Sequence, residues 1–180
     1  MKAYGQRFVR RLRGFSKDNR GVTAVEFAMI AMPFFILISA ILELGVIFFA
    51  GQLLDNATFD AARMVRTGQA QVSSMSKSKI EDLICDRMSG LLCTDRDRLF
   101  VEVKNYPSFK DLASAPPLVD SNKKFQPPTT FNLGSRSSVM MVRVVYKWPM
   151  VTNWIKDAMQ DTADGDRLII STAIFRNEPY

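Results

Sequence analysis

Residues 19–51 read NRGVTAVEFAMIAMPFFILISAILELGVIFFAG, an apolar run that contains two carboxylates, Glu26 and Glu43, and one proline, Pro33. From Phe27 to Leu42 it carries sixteen residues without formal charge, nine of them Ile, Leu or Phe. Those nine favour entry into a bilayer by roughly 4 kcal/mol. The apolar character resumes after Glu43 and lasts to Ala50. As a helix, Val22 to Ala50 would reach about 43 Å, more than the roughly 30 Å of a hydrocarbon core. Residues 22–50 are therefore expected to form a membrane-crossing helix whose end stands clear of the lipid. A cleaved secretory signal is the competing reading, but such signals hold only about 7–15 apolar residues before a small-residue cleavage site. Here the helical rhythm continues beyond the run. Leu54, Ala57, Ala61 and Val65 make an apolar stripe along a helical extension over residues 51–70.

The chain has 180 residues and a net charge of +6. Such a balance would ordinarily suggest an acidic partner. Its distribution argues against nucleic acid. Residues 1–21 hold Lys2, Arg7, Arg10, Arg11, Arg13, Lys17 and Arg20 against Asp18 alone, so residues 22–180 are neutral overall. The basic character lies in a leader that precedes an apolar helix. By the positive-inside rule the N-terminus stays in the cytoplasm and the chain beyond about residue 50 is exported. Cys85 and Cys93, the two cysteines, then face an oxidising compartment and are expected to pair. An unbroken helix would hold them about 12 Å apart, too far for a disulfide, so it must break between them, with Ser89-Gly90 the evident place. With no histidine in the chain, the alternative of a zinc site is poorly supplied with ligands.

A carboxylate in lipid costs at least about 2.5–3.5 kcal/mol and so calls for a partner or a function. Glu26, near the cytoplasmic end, could simply snorkel to the interface. Gly21 offers another account. If a peptidase cut between Gly21 and Val22, the new α-amino group would be positive near neutral pH. It would stand about one turn from Glu26 of its own chain, or opposite Glu26 of a neighbour. Glu43 lies about 100° round the helix from Glu26, too far for the same amine to serve both. Water, a headgroup or another subunit would reach it near the outer interface. Pro33 removes the helical donor to the carbonyl of Met29 and could bend the helix.

A basic leader ending in Gly, four residues, then Glu and an aromatic resembles the processing site of type IV prepilins, and G-VTAV-EF is similar to that of the tight-adherence (Flp) branch. Farther on, VEFAMIAMPFFILISAILELGVIF and NATFDAARMVRTG resemble the TadE-type minor pilins and pseudopilins of that system. Glu26, Phe27, Pro33, Glu43, Gly45 and Ala61-Ala62-Arg63 fall at matching places, and the terminal FRNEP (Phe175–Pro179) resembles the ending of some members. The resemblance implies cleavage by a prepilin peptidase and a part in initiating or assembling a pilus. Its partners would be other pilins and assembly proteins, met through the N-terminal helix, besides the lipid bilayer. Phe27 stands where major pilins of this branch often have Tyr, which argues against the main fibre subunit. Without processing, the chain would be a bitopic inner-membrane protein with a periplasmic binding or scaffold domain.

Residues 71–180 read as a small periplasmic α+β domain. The segment SKIEDLICDRMSGLL opens with Ser78 and Glu81 in capping-box spacing, and Ile80, Leu83, Ile84, Met88 and Leu91 follow at helical intervals. Leu99, Val101 and Val103 alternate with Phe100, Glu102 and Lys104, as in a half-buried strand. VMMVRVVYKW (Val139–Trp148) and RLIISTAIF (Arg167–Phe175) read as two more, giving an antiparallel sheet of about three strands. Five of the eight prolines fall in residues 107–138, expected to be an irregular and mobile loop. DTADGD (Asp161–Asp166) lacks the ligand spacing and final Glu of a calcium loop and reads as a turn. No phosphate loop follows a strand, and spacing proposes no nucleophile and base. The chain is read as no enzyme, with neither metal nor cofactor.

Overall fold

A computed structural model describes residues 21–88 and 93–180. The basic leader to Arg20, the expected break at Ser89-Gly90 and the core position Leu91 lie outside the described residues. The chain divides into two units, Met1–Ile41 and Leu42–Tyr180. Helix α1 (Val22–Arg66) runs through both, and Pro33 lies within it without ending it. In the first unit α1 leaves Val25, Phe27, Met29, Ile30, Phe34, Phe35 and Leu37 exposed. Among the described residues it is the one helix long and apolar enough to cross a membrane.

The second unit is α+β. Turn α2 (Gln69–Val72), helix α3 (Lys77–Arg87), strand β1 (Leu99–Tyr106), strand β2 (Val139–Pro149), short helix α4 (Asn153–Met159) and strand β3 (Asp166–Arg176) follow α1 in order. The strands form one antiparallel sheet, ordered β1-β2-β3. One face carries Val101, Val103, Val142, Val144, Ile169 and Ala173, and these join Leu54, Ala57, Ala61 and Val65 of α1 in a single core. The apolar stripe of α1 is thus the face it buries, and its alanines are small enough for close packing on the sheet. Burying each Leu or Val contributes roughly 1.5–3 kcal/mol. Thr58 is buried too, and its hydroxyl donates to the carbonyl of Leu54 at 2.7 Å, which satisfies it within the helix.

Three details depart from the sequence expectations. Helix α3 is capped by Ser76, whose hydroxyl accepts the Lys79 N–H at 3.3 Å, so Ser78 and Glu81 form no capping box. Glu81 instead stands 3.8 Å from Lys77, one turn back. Strand β1 is buried on both faces, not half-buried, because the segment after it folds back over the sheet. Phe125 packs on Val145 and Leu168, Leu112 on Tyr106, Val139 and Met141, and Phe131 bridges Val103 along the edge of β1. Residues 107–138 are irregular, as expected, yet they serve as a second layer fastened to the sheet.

Under that layer lies an ion pair. Glu102 and Arg143 are directly opposite in the β1–β2 register. The Arg143 Nε and Nη2 donate to one Glu102 oxygen at 2.9 and 2.6 Å, with side-chain exposures of 11% and 4%.

Candidate functional site

The sequence-predicted site residues divide between the two units. In the first, Gly21, Val22, Glu26 and Phe27 are all exposed, and so is Pro33. A side chain added at Gly21 or at Gly45, in the second unit, would meet nothing nearby. The first turns of α1 therefore present Val22, Glu26 and Phe27 to whatever surrounds the helix.

Glu43 is the residue whose surroundings differ most from the expectation. It was expected to be reached by water, a headgroup or another subunit, but it is 7% exposed. Its Oε1 accepts the Val151 N–H at 2.7 Å and its Oε2 the Thr152 N–H at 2.9 Å. Those amides belong to Thr152, the N-cap of α4, and to the residue before it. The carboxylate that looks misplaced in an apolar run thus holds the connection between β2 and β3. Its desolvation is offset by two charge-assisted hydrogen bonds within the same unit.

At its other end α1 is closed by the C-terminus of the chain. The Glu178 N–H donates to the Arg66 carbonyl at 2.9 Å, and the Glu178 carboxylate stands 3.4 Å from the Arg66 guanidinium. Gln71 donates to the carbonyls of Val65 and Leu133. Asn177, buried, donates to the carbonyls of Leu133 and Ser135 and accepts none at its own oxygen. Gly68, at φ +81°, lets the chain leave α1 beneath the Tyr180 ring, where a Cβ would overlap it. The FRNEP ending is therefore a clasp on the helix. Arg63 of the Ala61-Ala62-Arg63 triplet is exposed, while both alanines are core residues.

Cys85 and Cys93 are joined in a disulfide with Cα atoms 5.6 Å apart, and α3 ends at Arg87, between them. The DTADGD segment is a turn. Asp161 receives the Leu168 N–H and the Arg167 guanidinium, and Asp166 pairs with Arg98 and Lys147. Burial opposes the charge on Arg98, but Asp166 and then Asp95 outweigh it and raise its pKa. Among the described residues no cluster of three or more metal-ligating side chains forms. A cleft of about 700 Å³ between Pro116-Pro117 and β3 has Arg143 in its wall, already engaged by Glu102.

These features define a class: an apolar N-terminal helix, long enough to span a bilayer, that continues as the central helix of a small disulfide-bonded α+β domain. Residues 21–63 match the family model described as TadE-like protein, which points to the tight-adherence pilus system. No curated protein and no solved structure matches the chain.

Proposed function

We propose that this chain is a minor pilin or pseudopilin that helps initiate or assemble a tight-adherence pilus. A prepilin peptidase removes residues 1–21 on the cytoplasmic side of the bacterial inner membrane. Residues 22–50 then hold the chain in the bilayer, with its α+β domain in the periplasm, and it passes into or beside the pilus through helix contacts with other pilins. The role is structural, and no residue is assigned to catalysis. The observation that carries this reading is the TadE-like match over residues 21–63, which starts at the residue before the expected cut. Exposure of Val22, Glu26 and Phe27 supports it, because neighbouring helices need that surface.

N-terminal sequencing and intact mass of the chain from its native host test the proposal. A mature chain beginning at Val22 is expected. A chain retained from Met1 onward would make it an uncleaved bitopic protein with a periplasmic binding or scaffold domain.

A further inference from the structure

Three contacts in the second unit set the order of its parts along α1. Glu178 meets Arg66 at the helix end, the Ile169 side chain lies beside Gly51, and Val151 and Thr152 meet Glu43. Strand β2 therefore runs from the level of Arg66 toward that of Glu43, and β3 returns from it. The connection between them, residues 150–165, meets the helix at Glu43. The charge-free run of α1 closes at Leu42, and about twenty helical residues suffice to cross the hydrocarbon core. Glu43, the first charge after the run, falls at its outer edge.

Beside Glu43 the connection uncovers two large apolar side chains, ahead of the charged pair Lys156 and Asp157. Val151 is 78% exposed and Trp154 69%, while Phe48 and Phe49 are exposed on α1 within two turns of Glu43. Trp is favoured at the headgroup level, where its ring is apolar and its N–H is wet. Backbone amides are costly in that setting unless satisfied. Glu43 satisfies those of Val151 and Thr152, so the segment can meet lipid without leaving them bare.

We infer that the β2–β3 connection is a second membrane contact, in which Val151 and Trp154 enter the outer interface of the same bilayer that α1 crosses and Glu43 holds them at that depth. This rests on α1 being a spanning helix. The occupant of the patch is lipid; a neighbouring protein subunit is what the test would reveal instead.

The test uses the full chain in phosphatidylethanolamine–phosphatidylglycerol vesicles that carry a nitroxide near the headgroup or near the acyl terminus. Trp148 and Trp154 are the two tryptophans, so Trp148→Phe leaves Trp154 as the reporter, and Trp154→Phe in the otherwise natural chain controls for damage to the core. Trp154 should show blue-shifted emission and lose more of it to the shallow nitroxide than to the deep one. Trp154→Phe should remove most of the shallow quenching. Glu43→Ala should lower the Trp154 quenching while α1 stays resistant to alkaline extraction. Trp154 emission untouched by either nitroxide and quenched by aqueous iodide, in alkali-resistant protein, would overturn the inference and leave the patch to a protein neighbour. Release of the chain by alkali would refute the spanning helix itself, and this contact with it.

Discussion

Glu43 and Val151 stand 108 positions apart and are joined by a 2.7 Å hydrogen bond from the Val151 N–H to the Glu43 carboxylate. With the companion bond from Thr152, it ties the descending strand's exit to the helix that began the domain. A carboxylate serves here because both of its oxygens accept and neither needs a donor.

Replacing Glu43 by Ala should therefore destabilise the second unit more than a surface change does. A fully buried amide left without a partner costs about 1–3 kcal/mol, and these part-buried ones cost less. Glu43→Gln keeps one acceptor and should lose less. Hydrogen exchange of the full chain, read by mass spectrometry over residues 149–153, should accelerate in the order natural chain, Gln, Ala. Unchanged exchange in the Ala variant would show that the bonds are not formed in solution.

Glu26 should matter for assembly and not for insertion. Its exposure on the first turns of α1 leaves it open to the amine that processing would create at Val22. Pairing two groups that are each costly in lipid offsets both costs and sets the axial register between helices. Glu26→Ala is expected to give inserted, processed protein that does not support piliation in a complementation assay. Normal pili would leave snorkelling as the better account of this carboxylate.

The Glu102–Arg143 pair should be costly to break and cheap to replace. Glu102→Ala strands a guanidinium beneath the loop layer and should lower stability by roughly 3–5 kcal/mol. Substituting both residues by apolar side chains of similar volume should restore most of the loss. Thermal unfolding of the single and double variants measures this, and additive losses would contradict direct pairing.

Asp120 gives a pH prediction. Its carboxylate accepts the backbone N–H of Lys124 and then that of Asn122, and these bonds hold its pKa below the usual carboxylate value. A depressed folded pKa means that its contribution is complete above the unfolded value of about 3.9. That contribution is lost as pH falls through the folded value. The turn at residues 118–126 should therefore keep its Lys124 amide protected near pH 5 and lose protection only at pH below about 3.9. An NMR titration of the Asp120 carboxyl with a midpoint at or above that value would contradict it.

Periodicity made the elements legible. Leu54, Ala57, Ala61 and Val65 recur on one helical face, and all four are buried against the sheet. VMMVRVVYKW and RLIISTAIF are both strands. What periodicity cannot carry is the partner of a polar group. Nothing local marks Val151 as the donor to Glu43, because every residue except proline offers the same backbone N–H. The pairing of Glu102 with Arg143 depended on register, and register is a property of two strands. Ser76 and Ser78 offer the same hydroxyl, and it is Ser76 that caps α3. Helix α4, only seven residues long, is too short to show a period. From Gly21 to Phe27 the pattern speaks only through family resemblance, since an exposed helix start has no packing to betray it.

The clasp of Asn177 and Glu178 on α1 has a consequence in time. Synthesis delivers α1 before the residues that close it, with Arg66 and Glu178 separated by nearly the whole second unit. A partly synthesised chain holds the helix without the residues that close its carbonyls, and without β3 the sheet lacks an edge strand. The unit thus ripens late. Until Glu178 reaches Arg66, the end of α1 stays open.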